Sequence, residues 1–186
     1  MIQLAAELGD PEALSQLGDP PQSLPEHYRS RIEQAVQPLT THQRVAFACE
    51  CASRVQHYWL AFNSEDSRPA DAIAAATGWL RGELSHDFAA LSSAASDAGV
   101  TASEEFDRIE GTTISVAEAS PLGRAIYSAE WAAVAAHSCT DIISDPTEEC
   151  YCCAYAAKAA VWATHDNPAE REWQAKRLCD FLLGRA

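Results

Sequence analysis

Residues 41–62 read THQRVAFACECASRVQHYWLAF. Val45, Ala48, Ala52, Val55, Trp59 and Phe62 follow one another at intervals of 3, 4, 3, 4 and 3. That spacing tracks the α-helical turn and places all six on one face. A strand would require apolar and polar residues to alternate, with β-branched residues, over strand length, and no run in the chain does so. The period predicts a long helix to about Phe62, with Thr41 as its cap.

The next stretch, SEDSRPADAIAAATGWLRGE over 64–83, repeats the theme. Asp66 and Ser67 offer capping oxygens, and Pro69 falls in the first turn, where a missing N–H costs nothing. Ala72, Ile73, Ala76, Trp79 and Leu80 form a second apolar stripe, which predicts Trp79 as a core anchor, and Gly82 marks the end. Ser85 then opens a helix with Phe88, Leu91, Ala95 and Ala98 inward, and Gly99 is read as its stop. Thr101-Ala-Ser-Glu104 has the form of a capping box and predicts a short acidic helix. The best strand candidate, Gly111–Val116, is short and reads as a linker.

Ser120-Pro121 predicts a helix through about Cys139. Asp145-Pro-Thr-Glu148 and Asn167-Pro-Ala-Glu170 share one device: a polar cap, proline at the first helical position and glutamate two residues on. They predict helices through about Thr164 and to Gly184. Upstream, 2–8 and 11–17 read as short helical turns, and Pro25–Gln37 as a helix. The sum is seven or eight sizeable helices in an all-α fold, a compact bundle or a short array of helical hairpins. A single domain over 1–186 is expected, with N-terminal helices over 1–40 and an acidic link over 99–120.

The chain has 186 residues, 47% of them apolar, which is a globular composition. Its 27 acids against 13 bases give a net charge of −14. A general nucleic-acid binder needs a basic face to neutralise phosphates, so this balance argues against one. It suits a basic protein partner. No stretch has the length and apolarity of a membrane span. The first residues lack a signal-peptide pattern, and the seven cysteines are an odd count set in helical patterns. Both point to reduced thiols and a cytoplasmic setting.

Candidate chemistry is sparse. Cys49 and Cys51 are two apart on a helix and point in opposed directions. Cys150 and Cys153 share a face, but no second pair with zinc spacing accompanies them. Core packing is the better reading, and no metal or cofactor is expected. His137-Ser138-Cys139 groups a base with two nucleophiles, yet helical neighbours do not face one another. No nucleophile elbow, zincin pair or phosphate loop is present, so no catalytic residue is assigned. Arg68 is left over at the positive end of its helix, where a cation needs acids nearby: Glu65, Asp66, Asp71 or an acid of another helix.

The pattern His42-x-x-Val45-x-Phe47-Ala48, Cys51-Ala52-x-x-Val55, then Arg68-Pro69-x-x-Ala72-Ile73-x-Ala75-Ala76-x-x-Trp79-Leu80-x-Gly82 resembles the immunity-protein family of bacterial polymorphic toxin systems. The resemblance is strongest over 41–98 and extends more weakly over 125–165, through Ala135-Ala136-His137. It implies a small helical, non-enzymatic protein that binds and neutralises a cognate toxin. His42, Arg68, Pro69, Ile73 and Trp79 are its motif residues. A helical protein–protein adaptor, and a metal-dependent enzyme built on Cys150, Cys153 and histidines, are the competing readings. Residues 85–149 carry ten of the fourteen excess negative charges. The acids of the link, Glu104, Glu105, Asp107, Glu110 and Glu118, are therefore the candidate surface for a toxin with a basic face.

Overall fold

The computed structural model describes residues 31–83, 86–112 and 114–186. The helical turns expected at 2–8 and 11–17, and the start expected at Pro25, lie outside the described residues. A helical stretch over 31–36 leads in. Six helices follow: α1 Thr41–Phe62, α2 Arg68–Leu80, α3 Phe88–Glu110, α4 Pro121–Ser144, α5 Glu149–Ala163 and α6 Pro168–Leu182. The described residues thus form an all-α bundle of seven helices and contain no strand. No helix among them is long and apolar enough to cross a membrane.

The α1 stripe faces inward. Val45, Ala48, Ala52, Val55 and Trp59 are buried, and Phe62 is half-buried. Phe47, Cys49 and Cys51 are buried as well, because α4 and α5 both lie against this helix. Its cap is one residue earlier than the sequence pattern placed it. Thr40 Oγ1 accepts from the Gln43 N–H (3.2 Å), and Gln43 Oε1 accepts from the Thr40 N–H (2.9 Å). That reciprocal pair completes a capping box. Thr41 instead sends its hydroxyl to Glu149 at the head of α5 (2.8 Å).

Gly99 does not stop a helix. α3 runs unbroken through it to Glu110, and no capping box forms at Thr101, whose hydroxyl donates back to the Asp97 carbonyl (2.8 Å). The reason is tertiary. Gly99 is buried against α4, where a Cβ would sit 3.4 Å from Val134 Cγ2. Packing of two long helices outweighs the roughly 1 kcal/mol that a mid-helix glycine costs. The true stop is Gly111, at φ 84°.

Of the two proline-headed starts, Asn167 behaves as the pattern predicts. Its side chain accepts from the Ala169 N–H (3.0 Å) and Pro168 opens α6. Glu170 does not reach back to the cap; Arg54 and Gln174 hold it in the interior. The other start differs. α4 continues to Ser144, past Cys139, and Asp145 becomes its C-terminal cap. Asp145 Oδ1 accepts from both the N–H and the hydroxyl of Thr147 (3.0 and 2.6 Å), closing a turn, so α5 begins only at Glu149.

Alanine sets the spacing of the bundle. Ala129, Ala132, Ala133, Ala135 and Ala136 of α4 are buried. So are Ala154, Ala156, Ala157, Ala159 and Ala160 of α5, a helix enclosed on almost every side. The cysteines join this packing. Cys49, Cys51, Cys139 and Cys153 are buried, and burial pushes the Cys51 and Cys139 thiols well up. Cys139 donates to the Ala135 carbonyl of its own helix (3.2 Å).

Candidate functional site

The motif residues of α1 and α2 brace one helical hairpin at both ends. At the first end Trp59 is buried and its indole N–H donates to the Asp66 carbonyl (2.8 Å). Arg68 closes on the Asp66 carboxylate in a fork, Nε to Oδ1 at 2.9 Å and Nη2 to Oδ2 at 2.6 Å. The Arg68 backbone N–H also reaches Oδ1 (3.1 Å), so Asp66 caps the first turn of α2. Ser67, at the cap position itself, makes no such bond and donates to Asp71 Oδ2 (2.7 Å). The Arg68 hydrogen bonds hold Asp66 below the usual carboxylate range, against the upward pull of burial. Asp97, from α3, adds its field to Asp66 in stabilising the Arg68 cation. Pro69 and Ile73 are buried beneath this corner.

At the second end, His42 Nε2 lies 3.1 Å from the Leu80 carbonyl, and its ring stands 5.7 Å from that of Trp79. Trp79 is only half-buried, which corrects the core position read from its stripe. Its neighbour there is His42, which is itself exposed, so the stripe runs out to the rim of the bundle before α2 ends.

The acidic residues occupy a different face. Asp97, Val100, Thr101, Glu104, Asp107 and Arg108 form the exposed stripe of α3, opposite the buried Ala95, Ala98, Ala102 and Phe106. The five candidate carboxylates are not equivalent. Glu104 and Asp107 are open to solvent on this stripe. Glu105 forks onto Arg108, Oε2 to Nε at 2.6 Å and Oε1 to Nη2 at 2.5 Å. That contact lowers its pKa. Glu110 accepts the Ser120 hydroxyl at the head of α4 and is held below the usual range by it. A Cβ on Gly123 would run into that carboxylate, so glycine makes room for it. Glu118 is exposed and accepts the Ser115 hydroxyl (2.7 Å).

Sequence reading passed over two features of this face. Val100, Ile114 and Leu122 are three of the six large apolar side chains open to solvent among the described residues. They interleave with the acids, and Val100 carries a signal, since it is the one large apolar residue of α3 that is open to solvent. The other feature is Glu130 of α4, half-buried beneath α3. Burial pushes it up to about 7; the Ser103 hydroxyl bond lowers it, and Asp107 adds to the rise.

The group His137-Ser138-Cys139 does not assemble. Ser138 donates to the Val134 carbonyl (2.9 Å), Cys139 is buried, and His137 turns toward α3. Among the described residues, no three of the His, Cys, Asp and Glu side chains are placed to hold a metal ion.

No curated protein and no solved structure matches the chain. The family model described as Imm-5 like putative immunity protein matches residues 34–181, from before α1 to the last turn of α6. That span takes in the braced hairpin, the acidic stripe and the alanine-rich helices together, and the chain belongs to this immunity-protein family.

Proposed function

We propose that the protein neutralises a cognate bacterial toxin by binding it in the cytoplasm of the producing cell, without chemistry of its own. The family match over 34–181 is the observation that carries this reading. The exposed stripe of α3 with the segment after it, Glu104, Glu105, Asp107, Glu110 and Glu118, is the proposed docking surface. Three features support that choice. Glu104 and Asp107 share the solvent face of α3, and Glu118 in the segment after it is exposed as well. Apolar Val100, Ile114 and Leu122 among them supply the area that a stable interface needs beyond charge. The helix that presents them is packed on α4, so little conformational freedom is lost on binding. Toxins that act on nucleic acids or nucleotides carry basic sites. An acidic face would be steered to such a site quickly and would block it by occupancy.

The test is co-expression with each toxin domain encoded beside this chain, scored by growth, together with binding of the purified pair. Rescue accompanied by a stoichiometric complex supports the proposal. Rescue without a complex, or failure with every such toxin, sinks it.

A further inference from the structure

Ser92 of α3 meets His137 and Asp141 of α4 in a three-way contact. The Ser92 hydroxyl donates to Asp141 Oδ1 (2.5 Å). His137 Nε2 lies 3.0 Å from Asp141 Oδ2. His137 Nδ1 lies 2.7 Å from Ser92 Oγ and 3.1 Å from the Ser92 carbonyl oxygen. These are the residue types of a nucleophilic triad, but the arrangement cannot run acyl transfer. Ser92 is 4% exposed, and its proton points at a carboxylate. It sits inside a helix whose backbone N–H groups are spent on the helix itself, so no donors wait for an oxyanion.

The proton count shows what the contact does. Three oxygens can only accept here: the Ser92 carbonyl and the two oxygens of ionised Asp141. An imidazolium brings two N–H groups and serine one O–H, three protons for three acceptors. A neutral ring is one proton short. With the remaining proton on Nε2, Nδ1 can accept the Ser92 hydroxyl (2.7 Å) only by taking it from Asp141 Oδ1; with the proton on Nδ1, Nε2 turns a lone pair toward the carboxylate.

We propose that Ser92, His137 and Asp141 form a proton-gated clasp between α3 and α4, closed when the His137 ring is protonated at both nitrogens and loosened when it gives up a proton. Burial opposes the charge on His137; the hydrogen bond and charge of Asp141 and the Ser92 carbonyl overcome it, and the net shift is upward from 6.5. Asp141 moves the other way, below 3.8: burial would raise it, and His137 and Ser92 outweigh that. From α5 the neighbour is Cys152, pushed up to about 12 by burial, then by Asp141, Glu148 and Asp145, so it stays a neutral thiol throughout. No group of α1 or α2 figures among the charges acting on His137.

The sign follows. A histidine whose folded pKa is raised contributes fully below about 6.5, and its contribution fades as pH rises through the folded value. On the acid side the clasp persists until pH falls through the lowered value of Asp141. Its release on the alkaline side loosens residues 88–96, the half of α3 that leads into the exposed acidic stripe.

The test is nitrogen-15 NMR of the His137 ring in the whole protein across pH 5–9, with amide hydrogen exchange followed in parallel and corrected for intrinsic rates. The expected result is a doubly protonated ring near pH 6, a midpoint above 6.5, and protection of 88–96 that falls through the same midpoint. Asp141→Asn and Ser92→Ala should each lower the midpoint and flatten the pH dependence of that protection. A single-tautomer neutral ring near pH 6 would overturn the proposal. So would a midpoint at or below 6.5, or exchange over 88–96 that ignores the midpoint. The wild-type titration decides these points even where a variant fails to fold.

Discussion

Arg54 of α1 closes on Glu170 of α6 at 2.9 Å, Nε to Oε2, and the carboxylate it reaches is 4% exposed. A second pair, Glu50 with Arg177, joins the same two helices through the guanidinium Nε and Nη2 at 2.5 and 2.6 Å, but there the acid is 34% exposed. Burial of the acid separates the two pairs. Arg54→Ala strands a buried carboxylate that keeps the Gln174 amide (3.1 Å), and it also removes the guanidinium stacked 4.1 Å over Trp173. The expected cost is about 2–3 kcal/mol. Arg177→Ala should cost about 1 kcal/mol or less, part of it lost packing over Phe181. Urea unfolding of the two variants measures the difference. Equal costs would mean that Glu170 is well hydrated despite its position.

Glu130 predicts a pH dependence of opposite sign to an ordinary surface acid. Its folded pKa is about 7 against 4.5 for a free carboxyl, with burial the main cause. Between those values the native state holds a proton that the unfolded state has released, so stability falls as pH rises through this window. Above it the ionised carboxylate remains a penalty. Glu130→Gln should therefore stabilise the protein above pH 7 by about 1–2 kcal/mol, after discounting for solvent screening, and change little at pH 4.5. Thermal melting of the two proteins at pH 4.5, 6 and 8 checks it. A stabilisation of the same size at all three would assign the effect to something other than ionisation.

The two tryptophans of the braced hairpin should differ sharply on truncation. Trp59 is fully buried and its indole N–H satisfies the Asp66 carbonyl. Trp59→Ala should cost about 3–5 kcal/mol. Trp59→Phe, which keeps one aromatic ring and loses the pyrrole ring with its N–H, should cost about 1–3 kcal/mol. Trp79 covers less apolar area at the rim, and Trp79→Ala should cost about 1–2 kcal/mol. Denaturant midpoints rank the three. Trp79→Ala matching Trp59→Ala would restore Trp79 to the core.

Gly99 offers the reverse effect. Its backbone is regular helix, and an added Cβ meets Val134 at 3.4 Å and Ala133 at 3.8 Å, near ordinary contact. Gly99→Ala therefore gains helix propensity without a clash and should stabilise by about 0.5–1 kcal/mol. A loss on thermal melting would show that α3 and α4 cannot give the last few tenths of an ångström.

These residues also show where sequence reading succeeds and why it stops. The α1 stripe was legible because five of its six positions obey one period and one burial pattern, so helical phase alone fixed them. Asn167-Pro168 was legible because its cap is a local event. Gly99 was not: its meaning lies in Val134, thirty-five residues away, and the same residue type ends helices elsewhere. Asp145 departs from its sequence pattern for a related reason, since one side chain can cap a helix or close a turn, and α4 running on to Ser144 decides between them. Trp79 kept the helical phase but lay at the rim, a fact that depends on what faces α2 at that end. His137 and Asp141 stand four apart on one helix, a visible signal, but Ser92 reaches them only through the packing of α3.

Charge reversal on the α3 stripe tests the proposed docking surface. Glu104, Asp107 and Glu118 are the carboxylates to change, because all three are exposed and none has an arginine partner among the described residues. Glu105 and Glu110 are poorer probes: the first holds Arg108 and the second holds the head of α4, so their loss would disturb the fold. The triple variant Glu104→Lys, Asp107→Lys, Glu118→Lys should melt within a few degrees of the parent, since exposed positions away from caps and packing contribute little. Against the cognate toxin it should associate at least tenfold more slowly at low salt, with the gap narrowing as salt is raised, because steering is a screened long-range effect. Stopped-flow association at 20 and 300 mM salt provides the comparison. Val100→Asp, tested alongside, should raise the dissociation rate instead, since it removes apolar area from the centre of the stripe. Unchanged association of the triple variant at low salt would place the toxin on another face of the bundle.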